Sequence, residues 1–162
     1  MENYICINGK KAELTEEQMV ALGIELPKVN PFTRHKTNYS KYFYIGSDGC
    51  AYIENDNHGS YNDSQFDVAN YCTDKVIMEQ RALHETLNRL LWRYSMEHKG
   101  ERVDDKVWSI TYHADTKEFH CGWVNYQVLF VAEIAFDTEE IGNNAIKEII
   151  EPFMAAHPEF KW

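Results

Sequence analysis

Between Asp74 and His98 apolar residues return every three or four positions, the spacing that lays side chains along one side of an α-helix. At about 100° per residue, Val76, Leu83, Leu87, Leu90 and Tyr94 fall in one narrow stripe, which reads as the core face of a long central helix. Elsewhere the period is two. Trp108, Ile110 and Tyr112 alternate with Ser109, Thr111 and His113, and after the turn at 114–118, Phe119, Cys121 and Trp123 alternate with His120 and Gly122. This pattern predicts an amphipathic antiparallel hairpin whose aromatic side faces the core. A second hairpin is predicted over 42–53, where two aromatic and aliphatic runs flank the turn Ser47-Asp48-Gly49; both of its faces are apolar, so cover is expected on both.

Local signals supply the remaining elements. Tyr4-Ile5-Cys6-Ile7 followed by Asn8-Gly9 reads as a strand entering a tight turn. Thr15 with Gln18 forms a capping box, and Gly23 suits a left-handed helix end, so a short helix is expected from about Glu16 to Leu22. Pro27 and Pro31 make 25–38 an extended connector, and 54–67 is read as turns because of its Asn, Asp, Gly and Ser content. A further strand is placed at Val128 to Phe136, then a last helix with Asp137 as N-cap and Glu140 at N3, kinked or ended by Pro152.

This order contains no regular βαβ alternation. It implies an α+β fold: an antiparallel sheet of about five strands, two hairpins plus the further strand, packed by the long central helix and a C-terminal helix, with a short N-terminal helix. Residues 1–38 form the N-terminal strand, helix and connector, residues 39–162 the main α+β domain, and the two are expected to make one compact domain.

The 162 residues include 44% hydrophobic and 14% aromatic side chains, enough for a core without metal or disulfide staples and far from the composition of a disordered chain. No run of about 18 apolar residues and no basic-then-apolar leader is present, so a protein of the bacterial cytoplasm with no membrane association is expected. Cys6, Cys50, Cys72 and Cys121 form no C-x-x-C pair and read as reduced thiols.

The formal net charge of −10 is unevenly placed. From Tyr42 to Thr73 there are five acids, Asp48, Glu54, Asp56, Asp63 and Asp67, and no Lys or Arg; from Val131 onward seven acids face only Lys147 and Lys161. Such a field repels nucleic-acid phosphate and attracts basic partner surfaces. The segment from Pro27 to Lys41 is the exception, with Lys28, Arg34, Lys36 and Lys41 and no acid.

Motifs exclude more chemistry than they offer. The long helix carries His84-Glu85 but has Asn88 where a zincin helix needs its second histidine, so the site fails and His84 reads as a half-buried, hydrogen-bonded imidazole. Aligning Gly59 with the EF-hand glycine puts His58 and Gln65 at ligand positions, which rules out that calcium loop. No phosphate-binding glycine loop and no G-x-S-x-G occurs, and a Cys72/His84 nucleophile pair has nothing to recommend it. His113 and His120 are expected directly opposite each other across the hairpin, where they would be a weak metal site with no third ligand identified. No cofactor is implied.

The far side of the long helix holds Met78, Glu85, Arg89, Trp92 and Met96. Cover by the N-terminal segment or the last helix is the simpler account of a tryptophan and two methionines there. The alternative is a partner-binding patch, since Trp, Met and Arg are enriched at interfaces.

Four stretches, INGKKAELTEEQMVALGI (7–24), NPFTR (30–34), CTDKVIMEQRALHETLNRLLWRYSMEH (72–98) and EEIGNNAIKEIIEPFMAAHPEF (139–160), together resemble a group of small proteins carried by prophages and other mobile elements of Gram-positive bacteria. The likeness spans most of the chain, and the helix is its most specific part. It transfers no catalytic residue. It implies a setting in which small acidic phage proteins inhibit host defence, as anti-CRISPR proteins do by binding an RNA-guided nuclease. On that resemblance and the charge map, the expected function is a non-enzymatic inhibitor of a bacterial defence nuclease, binding through Met78, Glu85, Arg89, Trp92 and Met96 with the acids Asp56, Asp63 and Asp67. The alternatives are a nucleic-acid-binding accessory protein that uses Arg34, Lys36 and Lys41, and a metal-dependent hydrolase built on His113 and His120.

Overall fold

The computed structural model describes residues 4–7, 10–23, 30–102, 106–125 and 134–162, in two compact units, Met1–Thr33 and Arg34–Trp162. In the first unit β1 (Tyr4–Ile7) pairs antiparallel with β2 (Lys10–Glu13), Ile7 opposite Lys10. Helix α1 (Glu16–Ala21) follows. Its capping box forms as the sequence predicts: Gln18 N donates to Thr15 Oγ1 at 3.3 Å while Thr15 N donates to Gln18 Oε1 at 2.9 Å. Gly23 takes the left-handed conformation at φ +70°.

The second unit is organised by the central helix α3 (Lys75–Glu97), capped by Asp74, whose side chain accepts from Ile77 N. Its two halves bury different sides. Met78 and Ala82 pack with Ile45 and Cys72 against the hairpin of β3 (Ser40–Ile45) and β4 (Ala51–Asp56). Leu87, Leu91 and Tyr94 enter a larger core with Phe136, Ala145, Ile150, Phe153 and Phe160. That core also receives Trp108, Ile110, Phe119 and Cys121 from the hairpin of β5 (Lys106–His113) and β6 (Glu118–Asn125); of the side predicted to face the core, Trp123 is instead 61% exposed, and Val107 and Ser109 on the opposite side are buried.

The expected five-stranded sheet does not form among the described residues. The strands form separate two-stranded sheets, and for β3–β4 and β5–β6 a single bridged residue stands where a sheet neighbour was expected. Phe43 exchanges backbone hydrogen bonds with Cys72 at 2.7 and 3.0 Å, and Trp108 with Phe136 at 2.8 Å in both directions. Of the further strand read at Val128 to Phe136, residues 128–133 lie outside the described residues, and Phe136 supplies this one bridge. Cover on both faces of the first hairpin is likewise not found, since Tyr52 and Ile53 are exposed.

Residues 54–67 are not all turn. Helix α2 (Ser60–Asp67) occupies the second half, and it is easily missed because it has almost no apolar face. Polar anchoring replaces that face: buried Asn62 accepts from Asn57 N at 3.1 Å and donates to the Tyr42 hydroxyl at 3.1 Å. The described part of the connector, from residue 30, is turn-rich rather than extended, with Thr33 N bonded to Asn30 O.

The last helix begins one residue later than expected. Thr138, not Asp137, caps α4 (Glu139–Ala145), accepting from Ile141 N, while Asp137 turns back to Arg102 and to Gly100 N. Gly142 allows the close approach of α4 to β6, because a Cβ there would lie 2.2 Å from Cys121 Sγ. Pro152 does not end the helix. A π-helical turn, Ile146–Ile150, precedes it and the helix resumes as α5 (Glu151–Ala156). The wider turn accommodates a ring that in a regular helix would meet the carbonyl four residues back.

Asn70 completes the edge of β3. Its side-chain amide accepts from Ile45 N at 2.8 Å and donates to Ile45 O at 2.9 Å, in the manner of a neighbouring strand. Asn70→Ala leaves both backbone groups unpaired and is expected to cost about 1–3 kcal/mol. Urea unfolding checks this.

Candidate functional site

Trp92 is where the charge and exposure of α3 converge. Burial of Leu87, Leu91 and Tyr94 sets the rotation of this half of the helix and turns Trp92 outward, 60% exposed. Met96, Arg89 and Glu85 share that side. Met78, predicted on the same side, is not part of the surface: it is fully buried under the β3–β4 hairpin, which covers only the first half of α3. Val76, predicted in the core stripe, is 61% exposed because the first half of α3 buries the side that holds Met78 and Ala82 instead.

The turn of the first hairpin lies beside Trp92. Gly49, at φ +83°, comes so near α3 that a Cβ would stand 2.8 Å from Thr86 Oγ1. This contact places Asp48 on one wall of a groove of about 400 Å³, with Arg89, Leu90, Trp92 and Arg93 on the other. Glu85 holds Arg81 at 2.9 Å and Arg89 at 3.4 Å, while Arg93 stands 4.0 Å from Glu97. These are exposed i,i+4 pairs, each contributing only a few tenths of a kcal/mol, so the guanidinium groups are free to exchange partners. Asp48, which the sequence presents only as a turn residue, is the part of this site that composition and periodicity do not reveal.

Other predicted site residues neutralise one another. Arg34 forms a two-point ion pair with Asp56, Nε to Oδ2 at 2.8 Å and Nη2 to Oδ1 at 2.9 Å, and reaches Asp63 at 2.6 Å. Asp56 is fully buried and also accepts from the Tyr71 hydroxyl at 3.1 Å and from His58 N at 2.9 Å. The Arg34 hydrogen bonds hold its carboxyl far below the usual range, against the opposing effect of burial. Asp56 therefore offers nothing to a partner, and Arg34 is already engaged by carboxylates instead of standing ready for phosphate. Lys36, Lys41 and Asp67 remain exposed.

His113 and His120 are adjacent but not directly opposite. The register pairs His113 with Glu118 and Thr111 with His120, so the two imidazoles meet diagonally, ring centres 4.7 Å apart and edge to face. The turn takes up residues 114–117, two more than a pairing of Asp115 with Glu118 would leave, so the register shifts by two residues and each side chain keeps its face. Among the described residues no three His, Cys, Asp or Glu side chains are grouped to hold a metal ion. His84 is a half-buried imidazole bonded to Lys161 O at 2.9 Å and packed on Phe160, in agreement with the sequence reading. Cys72 faces Asp74, not His84, and burial pushes its thiol up; burial likewise pushes Cys121 up to about 11. No helix among the described residues is long and apolar enough to cross a membrane.

Comparison with family models, with curated proteins and with solved structures finds no match. What the site can do must therefore be argued from its own geometry. It contains no activated nucleophile and no metal cluster among the described residues. It is an exposed aromatic ring flanked by charges of both signs.

Replacing Asp56 by Asn removes the charge that Arg34 requires and is expected to cost about 3 kcal/mol at pH 7. Because the folded-state carboxyl is depressed, its contribution is complete above the unfolded value of about 3.9 and is lost as the pH falls below it. Urea titrations between about pH 5 and 2 should show wild-type stability falling by more than that of Asp56→Asn. Iodoacetamide at pH 8 should label exposed Cys50 well before Cys72 or Cys121, read by mass mapping.

Proposed function

We propose that this chain is a non-enzymatic accessory protein of phage or prophage type that binds and inhibits a bacterial defence nuclease. The observation that carries the reading is the exposure of Trp92 on a long helix whose opposite side is locked into the core. An aromatic anchor on a rigid element loses little conformational freedom on binding, and Trp flanked by Arg is the usual composition of an energetic centre in an interface. The charge distribution supports a basic target. Glu54, Asp67 and the helical acids Glu139, Glu140, Glu148 and Glu151 are exposed within a chain of net charge −10. A DNA-binding groove has the complementary sign, and a protein seated in it excludes nucleic acid by competition. The resemblance to small mobile-element proteins supplies the biological setting.

The test is cleavage of target DNA by a panel of RNA-guided and other defence nucleases, with and without the purified chain. Inhibition of at least one member with a stable complex is expected, its association slowing as salt is raised. Trp92→Ala should weaken that complex about 30-fold without altering thermal unfolding, since the ring is mostly in solvent. The absence of both inhibition and complex across the panel removes the reading.

A further inference from the structure

On the other side of Asp48 from the Trp92 groove is a cavity of about 440 Å³ walled by Tyr44, Tyr52 and Tyr61, with Gly46, Asp48 and Gln65 at its margin. The three rings form a continuous set. Tyr44 lies 6.0 Å from Tyr52, tilted by 34°, and 6.1 Å from Tyr61, nearly perpendicular at 86°. Tyr52 and Tyr61 are half in solvent, 44% and 50% exposed. The rings are held in this open arrangement by specific contacts. The Tyr52 hydroxyl donates to Asp48 Oδ2 at 2.5 Å, and the Tyr52 ring lies so close to the backbone of Gly46 that a Cβ there would come within 2.6 Å of it. Tyr61 is carried by α2, which Asn62 anchors to Tyr42.

We propose that this cavity is a guanidinium-binding site that receives an arginine side chain from a basic protein partner. Three tyrosine side chains border one space, and aromatic rings attract a cation through their quadrupoles. The planar guanidinium suits the site better than a compact ammonium does, because it can stack on one ring while its edge donates to a carboxylate. Asp48 provides that carboxylate. Its oxygens accept from Tyr52 and from Cys50 N, which leaves lone pairs unused out of about four. The wall supplies no competing cation: no Lys or Arg lines the cavity, and none occurs in the sequence between Tyr42 and Thr73. The inference deepens the proposed function and rests on its basic partner, giving the partner's arginine a defined seat beside the Trp92 groove, with Asp48 shared between the two.

The probe is N-acetyl-L-arginine amide, with the citrulline analogue as its uncharged isostere, titrated into the full chain by ¹H–¹⁵N NMR. Saturable shifts confined to residues around Tyr44, Gly46, Tyr52 and Tyr61 are expected with the arginine compound, and binding of citrulline should be weaker by about tenfold or more. Tyr61→Ala and Asp48→Asn should each weaken arginine binding several-fold, whereas Tyr61→Phe, which keeps the ring, should retain it. Tyr61 is exposed, and an unchanged spectrum of the core resonances shows that each variant is folded. Equal binding of citrulline, equal binding of N-acetyl-L-lysine amide, or shifts that survive Tyr61→Ala would overturn the assignment. These titrations contain no nuclease, so failure here leaves the inhibition assay standing, and failure of that assay leaves the cavity's preference measurable.

Discussion

The buried carboxylate of Asp56 is the constraint around which the first half of the main unit is arranged. It ends β4, receives two hydrogen bonds from Arg34, and binds the Tyr71 hydroxyl and the His58 backbone amide, while its own carbonyl accepts from Tyr39 N. Four separated stretches of chain are thereby brought to one point. A charge so completely removed from water is tolerated only when paired and fully hydrogen-bonded, which makes the position of Arg34 as fixed as that of Asp56. The entry to α2 adjoins the same node: His58 N donates to Asp56, while Asn57 N donates to Asn62, which docks on Tyr42. Tyr61, one wall of the tyrosine cavity, is carried along with that helix.

Helix α3 connects this polar assembly to the apolar one. Its first half contributes Met78 and Ala82 to the small core beneath the β3–β4 hairpin, and its second half contributes Leu87, Leu91 and Tyr94 to the large core shared with the C-terminal helical segments. The covered side changes along its length, so one face of the helix is buried at Met78 and open at Trp92 and Met96. The open portion is therefore a consequence of the hairpin's short reach. The turn at Gly46–Cys50 lies where cover ends, and Asp48 within it borders both the Trp92 groove and the tyrosine cavity. A partner that uses either depression meets the same acid.

Much of the local structure was legible because it depends on neighbours in sequence. The capping box at Thr15, the left-handed Gly23, the length of α3 and the inward Trp108, Ile110 and Phe119 of β5–β6 follow from spacing and from backbone preferences that act over a few residues. The half-buried His84 was likewise readable from its place at the edge of the leucine stripe. Helix α2 was not legible, since its stability comes from Asn62 and the Asp56 node and not from a periodic apolar face. The assembly of hairpins into one sheet also failed as an expectation, because single-residue bridges at Cys72 and Phe136 take the place of a neighbouring strand. Cap choice at Asp137 was decided by Arg102, a partner distant in sequence that drew the carboxylate away from the helix end.

By itself, then, the sequence determined the class of the fold, its long helix and paired strands, the acidic balance of the chain and the absence of the common catalytic motifs. These are properties of composition and short-range periodicity. Tertiary structure alone decided which charges remain available. Arg34, Asp56 and Asp63 look in sequence like separate basic and acidic surfaces, yet they form one internal ion cluster. Trp92 and Met78 look equivalent on a helical wheel, yet only the first lies beyond the reach of the covering hairpin. Periodicity assigns a side chain to a direction, whereas exposure depends on what other part of the chain arrives there, and that is a long-range packing outcome.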